Sequence, residues 1–566
     1  MTLAPAEVEK NIKSVTGPKT LGRAFLLSSL SGLLLTLAFP RWGLWLLAWV
    51  SLVPLFRALD MAKDRFEAFG LGFTAGFVFF LLSISWLRHV TVFGLFFVVT
   101  MLAVYWGVFG VLYFGCRGAG TVPKKGGETP PLLLAAIWVA LEFIRSELPV
   151  WGFGWNLLGS SQSPNLWVVQ LASLGGVTSV SFLIFLGNVF AHTLTRKRTQ
   201  ETLQNGFVFL LLLGATSLFG WSRVQAFNPQ SFFRVSVLQG NIPQLLKWDE
   251  DYKREILRIY LNLTRLASFD ASQVIVWPEA AFPGFLNQDP LGRRVERLVR
   301  QIGIPLIVGS PHAEAAAYYN SSYLIDASGK VAGRYDKIRL VPFGEYVPWK
   351  PVFGFLEPYA YALGVSDFSP GRDFTVFRLE GSGPRFSTLI CFEDVFPNLA
   401  RQFVDRGADF LFVMTNDAWF GHSSAPYQHL QASQLRAIEN GVSIVRAANT
   451  GVSAFITPLG EVVEKVHNQD GKDTFVMGGT TYPVVLAKEE TLFRKGGWLF
   501  PYACLAVLIA WIPFHRFRPL ALVFFLLLTS ACVRIQGGGF VAKKDSSGEP
   551  KVHEVSFDSD KLLNRQ

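Results

Sequence analysis

The sequence predicts an α-helical multi-span membrane domain joined to a layered α/β domain. Three observations carry this. Half of the 566 residues are apolar and only 17% are charged. The apolar excess is concentrated in residues 21–221 and again in 497–533. Residues 228–488 between them have the mixed polarity of a water-facing domain, so two regimes share one chain.

A crossing needs about 20 predominantly apolar residues, fewer where a segment is tilted or re-entrant. Windows that qualify are about 24–40, 43–57, 68–87, 90–115, 131–145, 166–194 and 206–221, then 498–514. Lys and Arg cluster in alternate connections: Arg57, Lys63 and Arg65; Arg117, Lys124 and Lys125; Arg196, Lys197 and Arg198; Arg516 and Arg518. The other connections hold little beyond Arg41, Arg88 and, at a span end, Arg145. With residues 1–23 cytoplasmic, this alternation follows the positive-inside rule, and seven crossings put 228–488 outside the cytoplasm. Lys10, Lys13, Lys19 and Arg23 precede the apolar run Ala24–Pro40 much as in a signal peptide. A second apolar run follows at once without a convincing cleavage site, so an uncleaved first span is expected. The same basic clusters account for the formal charge of +10. No nucleic-acid-binding signature accompanies them, and no nucleic-acid partner is expected.

Within 228–488, strand and helix patterns alternate. Strands are predicted at Phe233–Gln239, Val274–Trp277, Pro305–Gly309, Phe386–Cys391, Phe410–Thr415 and Ser443–Ala447. Hairpin-like segments lie at Tyr318–Ile325 and Val331–Tyr335, with Ala327-Ser328-Gly329 as the turn. Helices are predicted at Glu250–Ala267, Leu291–Ile302, Pro397–Arg406 and Pro426–Asn440. That order fits a layered α/β fold with substantial sheet. After Arg518 comes an apolar stretch, Leu520–Ala531, then Gly537–Gly539 and a polar segment of mixed charge that reads as disordered. Leu528–Cys532 faintly resembles a lipoprotein processing site, but a short apolar segment with an incidental cysteine is the simpler reading.

Of four cysteines, Cys116, Cys504 and Cys532 lie in or beside apolar runs, which leaves Cys391 alone in the polar domain. It has no disulfide partner there, and neither CxxC nor metal-ligand spacing occurs, so no metal or other cofactor is expected. Three segments set an ionisable group just past an apolar strand: Val274 to Glu279, Arg334 to Lys337, and Ser387 to Cys391. Strand ends are where layered α/β folds build sites. A thiol attacks only as thiolate and needs a base or a positive field beside it. Glu279 can take the thiol proton and later return it. Lys337 can favour the thiolate and stabilise an oxyanion. No histidine lies in the three segments.

In this order and with these flanks, Glu279, Lys337 and Cys391 resemble the nitrilase (carbon–nitrogen hydrolase) superfamily. Joined to these spans, they resemble the apolipoprotein N-acyltransferase family over roughly residues 20–515. The matching stretches are Gln239 to Pro243 with Lys247-Trp248, Trp277-Pro278-Glu279, Lys337 through Pro348, Cys391-Phe392-Glu393, Thr415 to Gly421, and Ala447 to Gly451. The resemblance implies a nitrilase-like αββα sandwich and a Glu-Lys-Cys triad, with Cys391 as nucleophile, Glu279 as base and Lys337 as oxyanion stabiliser. It further implies supporting or substrate-binding roles for Glu345, Glu393, Trp248 and Trp155, with Trp248 on a loop at the substrate entrance. Gly152 to Trp155 and Glu142 to Arg145 resemble the family's segment around its fifth span. Phe392 departs from the tyrosine often found after the cysteine. The implied partners are a phospholipid acyl donor, a diacylglyceryl apolipoprotein acceptor and the lipid bilayer. The implied setting is a bacterial inner membrane, with a monomeric enzyme whose catalytic domain faces the periplasm.

Blander readings stand beside several of these residues. Glu345 could merely fix a loop by accepting backbone hydrogen bonds, and Glu393 is balanced between orienting the site and acting directly. Trp151 and Trp155 could be ordinary interfacial aromatics. Glu142 and Arg145, one helical turn apart, could be a functional pair or a lock for their helix. A membrane-tethered amidase acting on a soluble amide is the alternative function. A transporter with a regulatory domain is weaker, because the spans lack paired acids and broken-helix repeats.

Overall fold

A computed structural model of the chain describes residues 18–118, 130–148, 150–195, 200–247, 249–315, 317–354, 367–379, 383–486 and 489–514. Trp248, the basic connections at 124–125, 196–198 and 516–518, and the tail expected at 519–566 lie outside the described residues.

The first part is helical: α1 (Pro18–Leu37), α2 (Val53–Met61), α3 (Arg65–Ser83), α4 (Val92–Gly118), α5 (Pro131–Glu147), α6 (Val177–Leu194) and α7 (Gln200–Ala226). Among the described residues, α1, α3, α4, α6 and α7 contain segments long and apolar enough to cross a membrane. Three departures from the predicted windows have local causes. The 43–57 window is not one helix: a 3-10 turn, Trp45–Trp49, precedes the nine-residue α2, which starts with Pro54 in its first turn. The 166–194 window is interrupted at Gly176, whose φ of +73° ends one short helix before α6 begins. Glu439 of the α/β domain then caps α6 by accepting the Val177 N–H at 2.8 Å. Helix α5 has 17 residues and is buried from Leu134 through Ser146, so it forms the centre of the bundle.

In the second part, the strands among the described residues are β1 (Phe232–Gln239), β2 (Val274–Val276), β3 (Leu306–Glu314), β4 (Ala317–Ile325), β5 (Val331–Asp336), β6 (Phe377–Arg378), β7 (Arg385–Ile390), β8 (Phe410–Thr415), β9 (Ile444–Ala448), β10 (Ala454–Ile456), β11 (Val462–Lys465) and β12 (Gly478–Val485). They form two six-stranded sheets, one in the order β12-β1-β2-β3-β4-β5 and the other in the order β11-β10-β9-β8-β7-β6. Helices α8 (Lys253–Ala267), α9 (Gly292–Ile302), α10 (Pro397–Asp405) and α11 (Ala425–Asn440) cover them, and α12 (Phe500–Phe514) follows. The period-2 geometry of a strand explains the layering. Val274, Val276 and Ile307 join the core that faces the other sheet, while Ile275, Trp277, Leu306 and Val308 join a second core under α8 and α9. Apolar residues on both faces therefore bury the sheet twice and give the αββα sandwich expected from the resemblance.

Two strand and helix ends differ from expectation. Strand β3 runs five residues past Gly309 to Glu314 despite Pro311, because β4 pairs with it throughout. Its other neighbour, β2, pairs only as far as Ile307, so Pro311 sits where that side is an edge. Helix α8 starts at Lys253 rather than Glu250, because Asp249 accepts the Asp251 N–H at 2.9 Å and holds a turn there.

Candidate active site

The three strand-end residues converge. Glu279 follows β2, Lys337 follows β5 at the edge of the same sheet, and Cys391 follows β7 of the opposing sheet. Gly309 on β3 permits the first turn, because a Cβ there would collide with the Pro278 carbonyl and the Glu279 backbone. Cys391 has φ +51°, a left-handed conformation unusual for a side-chain-bearing residue, which turns its sulfur out of the strand line.

Lys337 is buried, with its ammonium 2.9 Å from Glu345 and 3.7 Å from Glu279. The Asn320 amide on β4 bridges the two acids, donating to Glu279 Oε1 and to Glu345 Oε1, each at 2.8 Å. Burial works against the Lys337 charge, but the carboxylates of Glu345 and Glu279 outweigh it and hold the ammonium well above its usual range. Burial pushes the Cys391 thiol up, the Glu279 charge adds to this, and Lys337 offsets only part. The balance favours the thiol over the thiolate, so attack by this sulfur requires removal of its proton.

Glu345 contacts both a loop and the buried lysine. Its Oε2 accepts the Val341 N–H at 2.8 Å and fixes the loop, while the carboxylate also anchors Lys337. Glu393 is fully buried. It accepts the N–H groups of Ile338 and Arg339, just after Lys337, at 2.8 and 3.0 Å. It also accepts the N–H of Ile390, just before Cys391, at 2.8 Å, and the Tyr335 hydroxyl at 2.8 Å. One carboxylate thus ties the lysine strand to the cysteine strand across the sheets. Burial raises it to about 7, against the pull of these donors.

Trp155 is buried rather than exposed at an interface. It packs on Trp86 and on His429, with ring centroids 5.1 Å away in each case, and so joins the helical part to α11. Glu142 and Arg145 bind the segment that follows their helix: Arg145 donates to the carbonyls of Phe153, Trp155 and Asn156, and Glu142 accepts the Leu158 N–H. Trp151 lies between Phe97 and the loop after Lys337, 5.8 Å from Phe97 and 5.4 Å from Trp349.

Several site residues were not singled out from sequence. Lys247 is buried and donates to the Glu279 carbonyl at 2.9 Å; burial lowers it to about 8 although Glu279 and Cys391 oppose this. Its place beside Trp248 in a matching stretch was the available signal. Asn320 sits in a strand of ordinary composition and gave none. His429 lies 38 residues beyond Cys391 and meets its carbonyl only through folding, and Asp417 and Arg446 join it there, Asp417 on the His429 ring and Arg446 on Asp417.

An α/β sandwich that sets a thiol, a carboxylate and an ammonium at strand ends beside span-length apolar helices defines a carbon–nitrogen hydrolase-type domain joined to a membrane domain. The carbon-nitrogen hydrolase family model matches residues 234–477, and the apolipoprotein N-acyltransferase N-terminal domain model matches residues 31–190. The apolipoprotein N-acyltransferase of Geobacter metallireducens is 36% identical over 518 residues, covering 87% of this chain and 96% of its own. That of Chlorobaculum tepidum is 30% identical, covering 86% of this chain and 96% of its own. An amidase structure from Nesterenkonia is 20% identical over 48% of this chain and 95% of its own, with a TM-score of 0.35. This chain belongs to the apolipoprotein N-acyltransferase family, and it is an acyltransferase.

Proposed function

We propose that the protein moves a fatty acyl chain from a phospholipid to the N-terminal amine of a diacylglyceryl-cysteine lipoprotein, through a thioester on Cys391. The family name of its relatives supplies the reaction class. The observation that carries the residue assignment is the meeting of Glu279, Lys337 and Cys391 at three strand ends.

Glu279 removes the thiol proton as the sulfur attacks the ester carbonyl carbon of the phospholipid. The Lys337 ammonium, held by Glu345, balances the charge that develops on the carbonyl oxygen. Collapse breaks the carbon–oxygen bond, Glu279 returns the proton to the departing lysophospholipid, and a thioester remains. The acceptor amine then attacks the thioester carbonyl, Glu279 takes a proton from it, the carbon–sulfur bond breaks and the amide forms. The thiol is restored by that same proton. Two steps of moderate barrier replace one direct acyl transfer between a lipid ester and an amine.

The segments 24–221 and 498–514 as the membrane domain, with 228–488 between them, keep the two anchored substrates beside the site. The alternation of basic connections supports seven crossings and a catalytic domain on the outer, periplasmic side of an inner membrane. In this reading the protein works as a monomer, and Trp248 has a substrate-binding role.

Reconstitution with phosphatidylethanolamine and a diacylglyceryl peptide tests the reading. Formation of N-acylated peptide by the wild type, and none by Cys391→Ser, is expected. Release of ammonia from small soluble amides without any lipid requirement would instead favour an amidase.

A further inference from the structure

Directly behind Cys391 lies a closed ring of four charged side chains outside the triad. His429 contacts Asp394 Oδ1 through Nε2 at 2.8 Å and Asp417 Oδ1 through Nδ1 at 3.0 Å. Arg446 contacts the other oxygen of each acid, Asp394 Oδ2 and Asp417 Oδ2, at 3.1 Å. All four are essentially inaccessible to solvent, and Ser433 and Thr415 add hydroxyl donors to Asp394 and Asp417. Two cations alternating with two anions is the arrangement in which buried charges compensate one another. Nδ1 faces the Asp417 carboxylate and Nε2 faces the Cys391 carbonyl with Asp394 Oδ1 in ion-pair range, so both ring nitrogens meet acceptors, which favours the protonated imidazole. Burial and Arg446 oppose that charge, but Asp394 and Asp417 prevail and raise His429 to about 9.

A core network needs no contact with a reacting residue, yet this one has it. The His429 Nε2 also lies 3.2 Å from the Cys391 carbonyl oxygen. The carbonyl belongs to the residue whose φ is +51°, a conformation that persists only where its surroundings over-determine it. Asp394, three residues on, ties the same short turn from the other side, and Arg436 donates to the carbonyls of Asp394 and Val395. The Trp155 ring packs against the imidazole at a tilt of 49° and links it to the helical part.

We propose that His429 is a positioning residue for acyl transfer: clamped between Asp394 and Asp417, it holds the Cys391 carbonyl and with it the left-handed turn that aims the sulfur at the ester. This rests on the reading of Cys391 as nucleophile. His429 touches neither substrate nor the reacting atoms, and it acts through the cysteine backbone. Its loss therefore slows attack by the sulfur without weakening capture of the lipid.

The test uses the full chain in detergent with phosphatidylethanolamine as the acyl donor and no acceptor. Acylation of Cys391 is followed by peptide-level mass spectrometry, which separates it from the other cysteines. For His429→Ala, the maximal acylation rate is expected to fall at least 30-fold, with the half-saturating lipid concentration within about threefold of wild type. His429→Gln, which keeps a donor near the carbonyl but loses the two-sided clamp, is expected to fall between. A folded variant that acylates Cys391 at the wild-type rate overturns the proposal, as does a loss confined to lipid affinity. Failure of both variants to fold makes the ring a folding element alone and also overturns it. Absence of any adduct on wild-type Cys391 instead removes the nucleophile reading on which this one rests.

Discussion

Lys337 is held more closely by Glu345, at 2.9 Å, than by Glu279, at 3.7 Å. The ammonium therefore has a dedicated anion other than the proposed base, which leaves Glu279 available for the thiol proton. In Glu345→Gln that anchor is lost, and the ammonium is drawn to Glu279 in its place. The expected outcome is a fall in kcat of about 100-fold, with KM for the lipid within threefold. Steady-state kinetics on the purified variant check it.

Asn320 holds the two acids apart through a single amide. Asn320→Ala is expected to lower kcat by roughly tenfold, the cost of a looser base. Asn320→Asp is expected to be worse than alanine, because it replaces a shared donor with a third carboxylate beside Glu279 and Glu345. The order of activities, wild type above alanine above aspartate, is the check.

Glu393 fastens the strands that deliver Lys337 and Cys391. Glu393→Gln points an amide N–H at either the Ile390 N–H or the pair from Ile338 and Arg339, leaving buried donors unpaired. A loss of about 2–3 kcal/mol of stability is expected. Tyr335→Phe removes the one hydroxyl that lies 2.8 and 2.9 Å from the two oxygens of the same carboxylate, leaves the three backbone donors in place, and is expected to cost less, about 1 kcal/mol. Thermal unfolding in detergent distinguishes the two.

The charged ring gives a signed pH dependence. His429 is raised from 6.5 to about 9, so its contribution is complete below about pH 6.5 and fades as pH rises through 9. Asp417 is lowered from 3.8 to about 2 by His429 and Arg446 in spite of burial, so its contribution is complete above about pH 4 and lost as pH falls through 2. Between pH 6.5 and 9.5, the Tm advantage of wild type over His429→Gln is expected to shrink, by up to roughly 3 kcal/mol in equivalent stability. A gap that stays constant across that range would remove the linkage.

The strand ends were readable because apolar runs such as Val274–Val276 and Phe410–Thr415 are short, continuous and followed by a chemically distinctive residue. That logic found Glu279, Lys337 and Cys391, and the four-layer fold came with the resemblance they carry. Helix interruptions were harder to read, because Gly176 sits in an apolar stretch whose composition alone looks continuous. His429 leaves no local signal, because it stands 38 residues from Cys391 and outside the three triad segments. Its role depends on α11 packing against the turn after β7, a tertiary relationship with no local trace. Lys247 and Asn320 were missed for the same reason, since their partners lie on other strands.

The central claim is that the Cys391 sulfur carries the acyl chain between two lipid substrates. Peptide-level mass spectrometry after incubation with phosphatidylethanolamine, followed by a chase with diacylglyceryl peptide, tests it most directly. The account predicts a hydroxylamine-sensitive fatty-acyl adduct on Cys391 that forms with the phospholipid alone and disappears as N-acyl peptide appears at a matching rate. Peptide acylation at full rate with Cys391 unmodified throughout, or undiminished by Cys391→Ala, would contradict it.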